Sequence, residues 1–354
     1  MSEWKDFNLE ELADIHNYVR VPLSKMQRDE KQGQYPYYGA SGIIDYIDEY
    51  LFDGEYVLIS EDGENLKSRQ TPIAFKATGQ FWVNNHAHIV KGKQPWLNDL
   101  LIYFFQNLDL SPYITGAVQP KLNKENLLSI PISLPKNEIE QQAIAAVLSS
   151  LDDKIDLLHR QNKTLEALAQ TLFRHWFVDG AENNVFDTLE SLGDFSNGKS
   201  RPPQVENGPI PIYGGNGILG FTDIYNSEGE SIVIGRVGAY CGSLYFENRP
   251  IWVTDNALLA TPKRADFSKY LFYLLLSLNL NSMAEGSSHP LLTQKLLNSI
   301  EIPVHTETAI LQFNEVVEPM FAKRFKNLSQ IKTLEVLRDT LLPKLMSGEV
   351  RVQL

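Results

Sequence analysis

Apolar residues recur every three or four positions between Ile139 and Phe177, a stretch that contains neither proline nor glycine. The recurring positions form the a/d stripe of a heptad repeat: Leu148, Leu151, Ile155, Leu158, Asn162, Leu165, Ala169, Leu172 and Trp176. This spacing predicts one amphipathic helix of about 39 residues and about 58 Å. Asn162 is a polar residue at an a position, where it fixes the register of paired helices at some cost in stability.

The segments that precede this helix and follow it have a different pattern, typical of β-rich heads. Short β-branched and aromatic runs, such as Tyr56–Ser60, Ser231–Ile234 and Ile251–Thr254, are bounded by Gly, Pro, Asn and Asp. Each head also holds one apolar stretch of helical length, Leu97–Leu108 in the first and Phe267–Leu280 in the second. The chain therefore combines two mixed heads with long helices.

The two halves of the chain repeat each other at an offset of about 175 residues, drifting to about 170. The segment Tyr35–Ile44 (YPYYGASGII) matches Ile210–Leu219 (IPIYGGNGIL), and Phe81-Trp82-Val83 matches Ile251-Trp252-Val253. Further matches join Gly63 to Gly238, Gly116 to Gly286, Pro120 to Pro290, Leu122 to Leu292 and Thr164-Leu165-Glu166 to Thr333-Leu334-Glu335. A drift of a few residues is what small loop insertions produce, so the repeat predicts two related domains.

A second apolar stripe lies at the equivalent place in the second half, from about Glu307 to Leu342. Its apolar positions are Ile310, Phe313, Val317, Met320, Ile331, Leu334 and Leu341, and Arg324, Asn327 and Arg338 interrupt them. Pro319 predicts a kink or a second helix start, while Pro343 and Gly348 predict the end of the helix. Because both helices need a partner, we predict that they pair with each other.

These patterns predict an α+β fold of two pseudo-repeated β-rich domains joined by two long antiparallel coiled-coil helices. The predicted boundaries are 1–136 and 181–304 for the heads, and 137–180 and 305–354 for the helices. The helix-pair seam is predicted to contain Leu148, Leu151, Ile155, Leu158, Asn162, Leu165, Leu172, Val317, Met320, Ile331, Leu334 and Leu341.

Composition narrows the function classes. The 354 residues carry a net charge of −12, which speaks against wholesale binding of polyanions but leaves room for local basic patches. The single cysteine, Cys241, excludes an internal disulfide framework and a cysteine-based zinc site. No apolar run approaches the roughly 18 residues of a membrane span, and the first residues do not read as a signal peptide, so we expect a cytoplasmic protein.

Three motifs resemble catalytic or cofactor sites, and each has a simpler interpretation. Gly193–Ser200 fits the P-loop pattern, but Pro202 and Pro203 follow at once, where a helix is needed. Gly215–Gly220 fits GxGxxG, but the repeat breaks this pattern in the first half, which favours a shared tight turn. His86 and His88 would share one face of a strand, yet no further ligands lie nearby. We therefore expect no metal and no cofactor in this chain.

The absence of a catalytic constellation favours a binding or scaffold role, and two related heads suit a two-part target. If the target is double-stranded DNA, cations on phosphates and side chains on base edges are needed. The strongest cationic candidates lie in Gly- or Pro-rich loops. The full set of candidate DNA-binding residues is Lys25, Arg28, Lys67, Arg69, Lys121, Lys199, Arg201, Arg236, Tyr240, His289 and Lys295.

The order head, long helix, head, long helix resembles the specificity subunit of type I restriction-modification systems. Local sequence is also similar: Gln119–Pro135 resembles the family's exit from a target-recognition domain, and Glu138–Asp152 resembles the opening of its central helix. Leu291–Pro303 and Leu341–Gly348 are the equivalents in the second half.

The resemblance implies that each head reads one half of a bipartite DNA sequence, while the helices set the spacer. It further implies that two methyltransferase (modification) subunits dock on the chain and use S-adenosylmethionine. Restriction subunits that use ATP and magnesium can join them, and none of that chemistry resides in this chain. Two alternatives stay open: a coiled-coil scaffold for protein partners, and an enzyme that binds a nucleotide at Gly193–Ser200.

Overall fold

The computed structural model describes residues 3–116, 118–179, 185–285 and 290–353. The chain forms two compact units, Met1–Leu158 with Ser329–Leu354, and His159–Leu328. Each unit therefore combines one head with portions of both long helices.

The first head is built on a six-stranded sheet with the strand order β2-β7-β5-β6-β3-β4. Its first and last strands in sequence, β1 and β8, pair with each other in a separate two-stranded ladder. The strands are β1 (Trp4–Phe7), β2 (Ala13–Ile15), β3 (Gln32–Gly39), β4 (Gly42–Ile47), β5 (Phe52–Ser60), β6 (Ala74–Val83), β7 (Ala87–Gly92) and β8 (Ile132–Pro135). The helices are α1 (Leu9–Leu12), α2 (Lys25–Glu30), α3 (Asn65–Ser68), α4 (Pro95–Asn107) and α5 (Lys124–Ser129), and the long helix α6 (Glu138–Phe177) follows.

The second head contains a four-stranded sheet (β10-β16-β13-β14), a three-stranded sheet (β12-β11-β15) and the ladder β17-β9. The strands are β9 (Phe186–Thr188), β10 (Gly193–Asn197), β11 (Ile210–Gly214), β12 (Gly217–Thr222), β13 (Ser231–Gly235), β14 (Leu244–Glu247), β15 (Trp252–Val253), β16 (Ala257–Pro262) and β17 (Glu301–Pro303). The helices are α7 (Ser268–Ser277), α8 (Leu280–Met283) and α9 (Gln294–Asn298), followed by the second long helix, α10 (Glu307–Ser347).

The predicted repeat is confirmed by strand pairing. Tyr37 of β3 lies opposite Trp82 of β6 in a parallel pair, and Ile212 of β11 lies opposite Trp252 of β15 in the same way. The matched sequence segments thus occupy the same register in both heads. The single strand β6 is replaced in the second head by two strands, β14 and β15, and Pro250, which lacks the amide needed for a ladder, lies between them.

Each head shares its hydrophobic core with the neighbouring part of the long helices. In the first unit, Leu100 of α4, Leu148 of α6 and Leu345 of α10 belong to one buried cluster. In the second unit, Phe173 and Phe177 of α6 pack in one cluster with α10 and with α7, where Phe177 and Tyr270 have ring centroids 5.0 Å apart. Burial of large apolar and aromatic side chains is the main term that fixes the helix ends on the heads.

The prediction of two long helices is confirmed. α10 is one continuous helix of 41 residues, so of the two outcomes predicted for Pro319, a kink or a second helix start, the second start is wrong. The helix end predicted at Pro343 is wrong as well. Each proline removes only one amide donor, and next to Pro319 the buried Val317 and Phe321 pack on the second head. The helix ends before Gly348, whose φ of +76° suits glycine.

The predicted seam residues fall into two groups. Leu148, Ile155, Leu158, Asn162, Val317 and Ile331 are buried, whereas Leu151, Leu165, Leu172, Met320, Leu334 and Leu341 are partly buried. Toward the end of α6 the buried positions become Phe173 and Phe177, one residue beyond the predicted stripe. An α-helix drifts by about 20° per heptad against a strict seven-residue repeat, which accounts for this shift.

The three polar residues that interrupt the second stripe bond to α6. Arg338 Nη1 lies 2.8 Å from Asp152 Oδ1, Asn327 Nδ2 donates to Asn162 Oδ1 at 2.9 Å, and Arg324 pairs with Glu166. As residue numbers rise on α6 they fall on α10, so the helices are antiparallel. The interruptions predicted from sequence are therefore polar cross-links of the helix pair.

The Asn162–Asn327 pair leads to a stability prediction. Both residues are buried, and Asn162 Nδ2 and Asn327 Oδ1 have no hydrogen-bond partner in the described part of the chain. Replacing both residues by leucine removes these unsatisfied groups, and we expect the free energy of unfolding to rise by about 2 kcal/mol. Asn162→Leu alone leaves the buried side chain of Asn327 without the amide oxygen to which it donates, and we expect this variant to lower the free energy of unfolding by about 2 kcal/mol. Urea titration measures both shifts, and a double variant as unstable as the single one would contradict the prediction.

Candidate nucleic-acid interface

Loops at one end of the first sheet are tied together by backbone hydrogen bonds. We name residues 61–63, 84–86 and 120–122 loop cluster 1. Glu61 N donates to the carbonyl of His86 at 2.9 Å, and Gly63 N donates to the carbonyl of Pro120 at 3.0 Å. Leu122 N donates in turn to the carbonyl of Glu61 at 2.8 Å. The cluster is a rigid backbone frame, which suits the positioning of recognition side chains.

The second head builds the same frame from residues 236–238, 254–256 and 290–292, which we name loop cluster 2. Arg236 N donates to the carbonyl of Asn256 at 3.1 Å, and Gly238 N donates to the carbonyl of Pro290 at 3.1 Å. Leu292 N donates to the carbonyl of Arg236 at 2.9 Å. Every one of these bonds has its counterpart in loop cluster 1 at the offsets of the sequence repeat.

The side chains on the two frames differ in chemistry. Loop cluster 1 has Glu61, Asp62, His86 and Lys121 where loop cluster 2 has Arg236, Val237, Asn256 and Leu291. One backbone thus carries two different sets of charges and hydrogen-bonding groups.

Loop cluster 1 is organised around the carboxylate of Glu61. Arg20 Nη1 lies 2.5 Å from Glu61 Oε2, and Lys121 Nζ lies 3.4 Å from Glu61 Oε1. Burial by itself would raise the pKa of Glu61, but the hydrogen bond from Arg20 and the nearby positive charges outweigh burial and hold it below its usual value. Glu61 is therefore ionised at neutral pH and holds both cations in place.

The two histidines near this carboxylate differ in their hydrogen-bond partners and in their burial. His88 Nε2 lies 2.7 Å from the carbonyl oxygen of Leu122 and therefore donates to it, while Nδ1 lies 2.8 Å from Asn17 Nδ2 and accepts. Burial lowers the pKa of His88, so this ring is neutral at neutral pH. His86 lies in the turn before β7, with Nδ1 2.8 Å from Asp62 Oδ2, so the prediction that both histidines share a strand is wrong.

The structure distributes the predicted DNA-binding residues unevenly. Lys121 lies in loop cluster 1 and Arg236 in loop cluster 2. Tyr240 follows in the loop after Arg236, with 51% of its surface exposed. Lys199 contacts loop cluster 2 through its carbonyl, which accepts a hydrogen bond from Asp255 N at 2.9 Å. Lys25 on α2, Lys67 on α3 and Lys295 on α9 are exposed outside the clusters. His289 lies outside the described residues.

Three of the predicted arginines make contacts inside their own head. Arg28 Nε donates to Asp45 Oδ2 at 2.9 Å and its Nη1 donates to the carbonyl of Leu23 at 2.8 Å. Arg69 donates to the carbonyls of Gln106 and Leu108 at the end of α4. Arg201 Nη2 donates to the carbonyl of Leu219 at 3.0 Å. These contacts favour structural roles for Arg28 and Arg69, because their donors already have acceptors.

Sequence reasoning missed two features of these surfaces. Arg20 carries no motif and is recognisable only from its contact with Glu61. The hairpin β3–β4 exposes Ile43 and Ile44, and the repeated hairpin β11–β12 exposes Ile218 and Leu219. The duplication of an apolar pair just after a glycine turn was the available signal for this second feature.

The three suspected catalytic or cofactor motifs have structural explanations. Gly193–Asn197 is the strand β10, and an extended segment rather than a helix follows it, so no phosphate-binding turn forms. Gly214 and Gly217 flank the tight turn between β11 and β12, as predicted for the GxGxxG stretch. In the described ranges, no group of three His, Cys, Asp or Glu side chains could hold a metal ion. No helix in these ranges is long and apolar enough to cross a membrane.

Comparison with known proteins identifies the family. A family model described as the type I restriction modification DNA specificity domain matches residues 1–167 and 182–305. A putative type I restriction enzyme specificity subunit of Haemophilus influenzae is 38% identical over 42% of this chain and 37% of its own length. The MjaIX specificity subunit of Methanocaldococcus jannaschii is 26% identical over 99% of this chain and 94% of its own.

A solved structure has the same fold. The crystal structure of a type I restriction-modification S subunit from M. genitalium matches 97% of this chain and 96% of that chain, with a TM-score of 0.68 and 20% identity. Two matches of one family model, in the two halves that the repeat had already delimited, cover most of the sequence. The chain therefore belongs to the family of type I restriction-modification DNA specificity proteins.

Proposed function

We propose that this chain is the sequence-reading subunit of a type I restriction-modification complex and that each head reads one half of a bipartite DNA target. The observation that carries the proposal is the pair of loop clusters, in which one backbone frame presents two different sets of side chains. Identical frames give both heads the same approach to DNA, while different side chains give each head its own base preference.

The long helices have two proposed roles. Their antiparallel pairing, cross-linked by Asp152–Arg338 and Asn162–Asn327, makes them a ruler that sets the unspecified spacer between the half-sites. They also expose apolar side chains, among them Leu157, Leu168 and Val336, and such residues on long helices suit contacts with protein partners. We propose two methyltransferase subunits as these partners, with restriction subunits as possible further members.

The proposed chemistry lies in the partners. S-adenosylmethionine, ATP and magnesium are assigned to the methyltransferase and restriction subunits, and this chain is assigned none of them. The net charge of −12 fits this division, because the partners then supply much of the phosphate neutralisation. Since the proposed substrate is the cell's own DNA, the proposed site of action is the cytoplasm.

The test is modified-base sequencing of DNA from cells that express this chain together with its neighbouring methyltransferase gene. We expect methyladenine in both halves of one split motif, and we expect it to disappear when this chain is omitted. An intact purified complex without any methylated motif would contradict the proposal and favour a scaffold for protein partners.

A further inference from the structure

The backbone of Arg236 in loop cluster 2 is held from several directions. Its amide donates to Asn256, and its carbonyl accepts from Leu292 N at 2.9 Å and from Cys241 Sγ at 3.2 Å. The loop that follows is closed at its base, since Gly235 N donates to the carbonyl of Ser243 at 2.7 Å and Gly242 N to that of Gly235 at 2.8 Å. The backbone position of Arg236, and with it the point from which its side chain starts, is therefore set before any ligand arrives.

The side chain of Arg236 is partly buried and lacks an acceptor within the described part of the chain. Its Nε is buried and has no hydrogen-bond partner among the residues that the structure describes. Among the described residues, every other arginine has a partner, for example Arg20 with Glu61 and Arg28 with Asp45. A guanidinium carries five donors in a fixed plane and favours paired acceptors, so an arginine without an acceptor in a rigid loop is suited to a ligand.

The equivalent position in the first head carries the opposite charge. There the same backbone carries Glu61, and Arg20 and Lys121 lie against its carboxylate. The frame does not itself require a cation at this position, because it forms around a carboxylate as well. The charge at Arg236 is thus not explained by the fold of the loop cluster.

We propose that Arg236 reads a G·C base pair in the half-site of the second head, by donating two hydrogen bonds to O6 and N7 of the guanine. This assignment rests on the proposed function. Guanine presents two adjacent acceptors in the major groove that match the guanidinium fork. A guanidinium fork fits a phosphate as well, but exposed lysines such as Lys199 and Lys295 can also make phosphate contacts, whereas base reading gains most from a side chain whose backbone is fixed.

The experiment compares methylated motifs for the wild type, Arg236→Lys and Arg236→Gln, each expressed with the methyltransferase subunit. The wild-type motif is expected to contain a fixed G·C pair in the half read by the second head. In both variants, discrimination at that one position is expected to fall by between about fivefold and a hundredfold, with the other half unchanged. Arg236→Lys keeps the positive charge and tests whether the two parallel donors of the guanidinium are needed. Co-purification with the methyltransferase subunit shows that each variant is folded.

Lys295→Gln is the matched control, because it removes one exposed charge from the same head. It is expected to reduce methylation at all sites alike without altering the motif. The same uniform reduction in the Arg236 variants would identify a phosphate contact and overturn base reading, as would a wild-type half-site without a fixed G·C pair. A wild-type complex that methylates no motif would instead refute the proposed function, and this assignment with it.

Discussion

Replacing residues 8–131 by the corresponding head of a relative with a known target is expected to replace one half of the methylated motif and leave the other half intact. The junctions follow from the structure: β1 and β8 pair with Phe7 opposite Ile132, so the head enters and leaves through neighbouring strands. The second head is bounded in the same way by the ladder of β9 and β17. An exchange of the residues between the two ladder strands leaves the sequences of α6, α10 and the other head unchanged.

Modified-base sequencing of the exchanged protein with its methyltransferase partner measures the result. The reciprocal exchange of residues 189–300 is the matched control, and it should replace the other half-site only. Co-purification of the partner confirms that the chimera is folded. If one exchange altered both half-sites, or neither, the assignment of one half-site to each head would be wrong.

Sequence alone predicted the architecture because the signals were long or duplicated. The stripe from Ile139 to Phe177 predicted α6 to within one residue, since many positions contribute to one period. The repeat predicted that Tyr35–Ile44 and Ile210–Leu219 would form equivalent structures, and both are hairpins with a glycine turn. The end that Pro343 predicted for α10 was wrong because this local signal was outweighed by packing, since Leu345 and Met346 belong to the core of the first unit.

The candidate interface could be predicted only in part, because the role of a charge depends on its partners. Lys121 and Arg236 were found from their Gly- and Pro-rich surroundings, which indeed form the loop clusters. Arg28 and Arg69 were candidates on their charge alone, and their donors contact acceptors that are distant in sequence or at a helix end. Such contacts arise from tertiary structure and leave no local pattern in the chain.

Removing residues 152–158 from α6 together with residues 332–338 from α10 is expected to shorten the spacer of the motif while both half-sites keep their sequences. The two segments face each other, as the Asp152–Arg338 bond shows. Seven residues are one heptad, so Leu148, Leu151 and Asn162 remain on the apolar face of α6 and Asn327 remains on that of α10. The helix pair becomes about 10 Å shorter, which corresponds to roughly three base pairs of DNA.

The spacer length is read from the methylated motif, and the matched control removes residues 152–158 alone. This single deletion removes Asp152, the ion-pair partner of Arg338. It also removes Ile155 and Leu158, the α6 residues that form a hydrophobic cluster with Leu334. We therefore expect a strong loss of stability and of methylation. The paired deletion keeps the facing segments equal in length, and its complex should still assemble. An assembled complex with an unchanged spacer would show that the helix pair does not measure the distance between the half-sites.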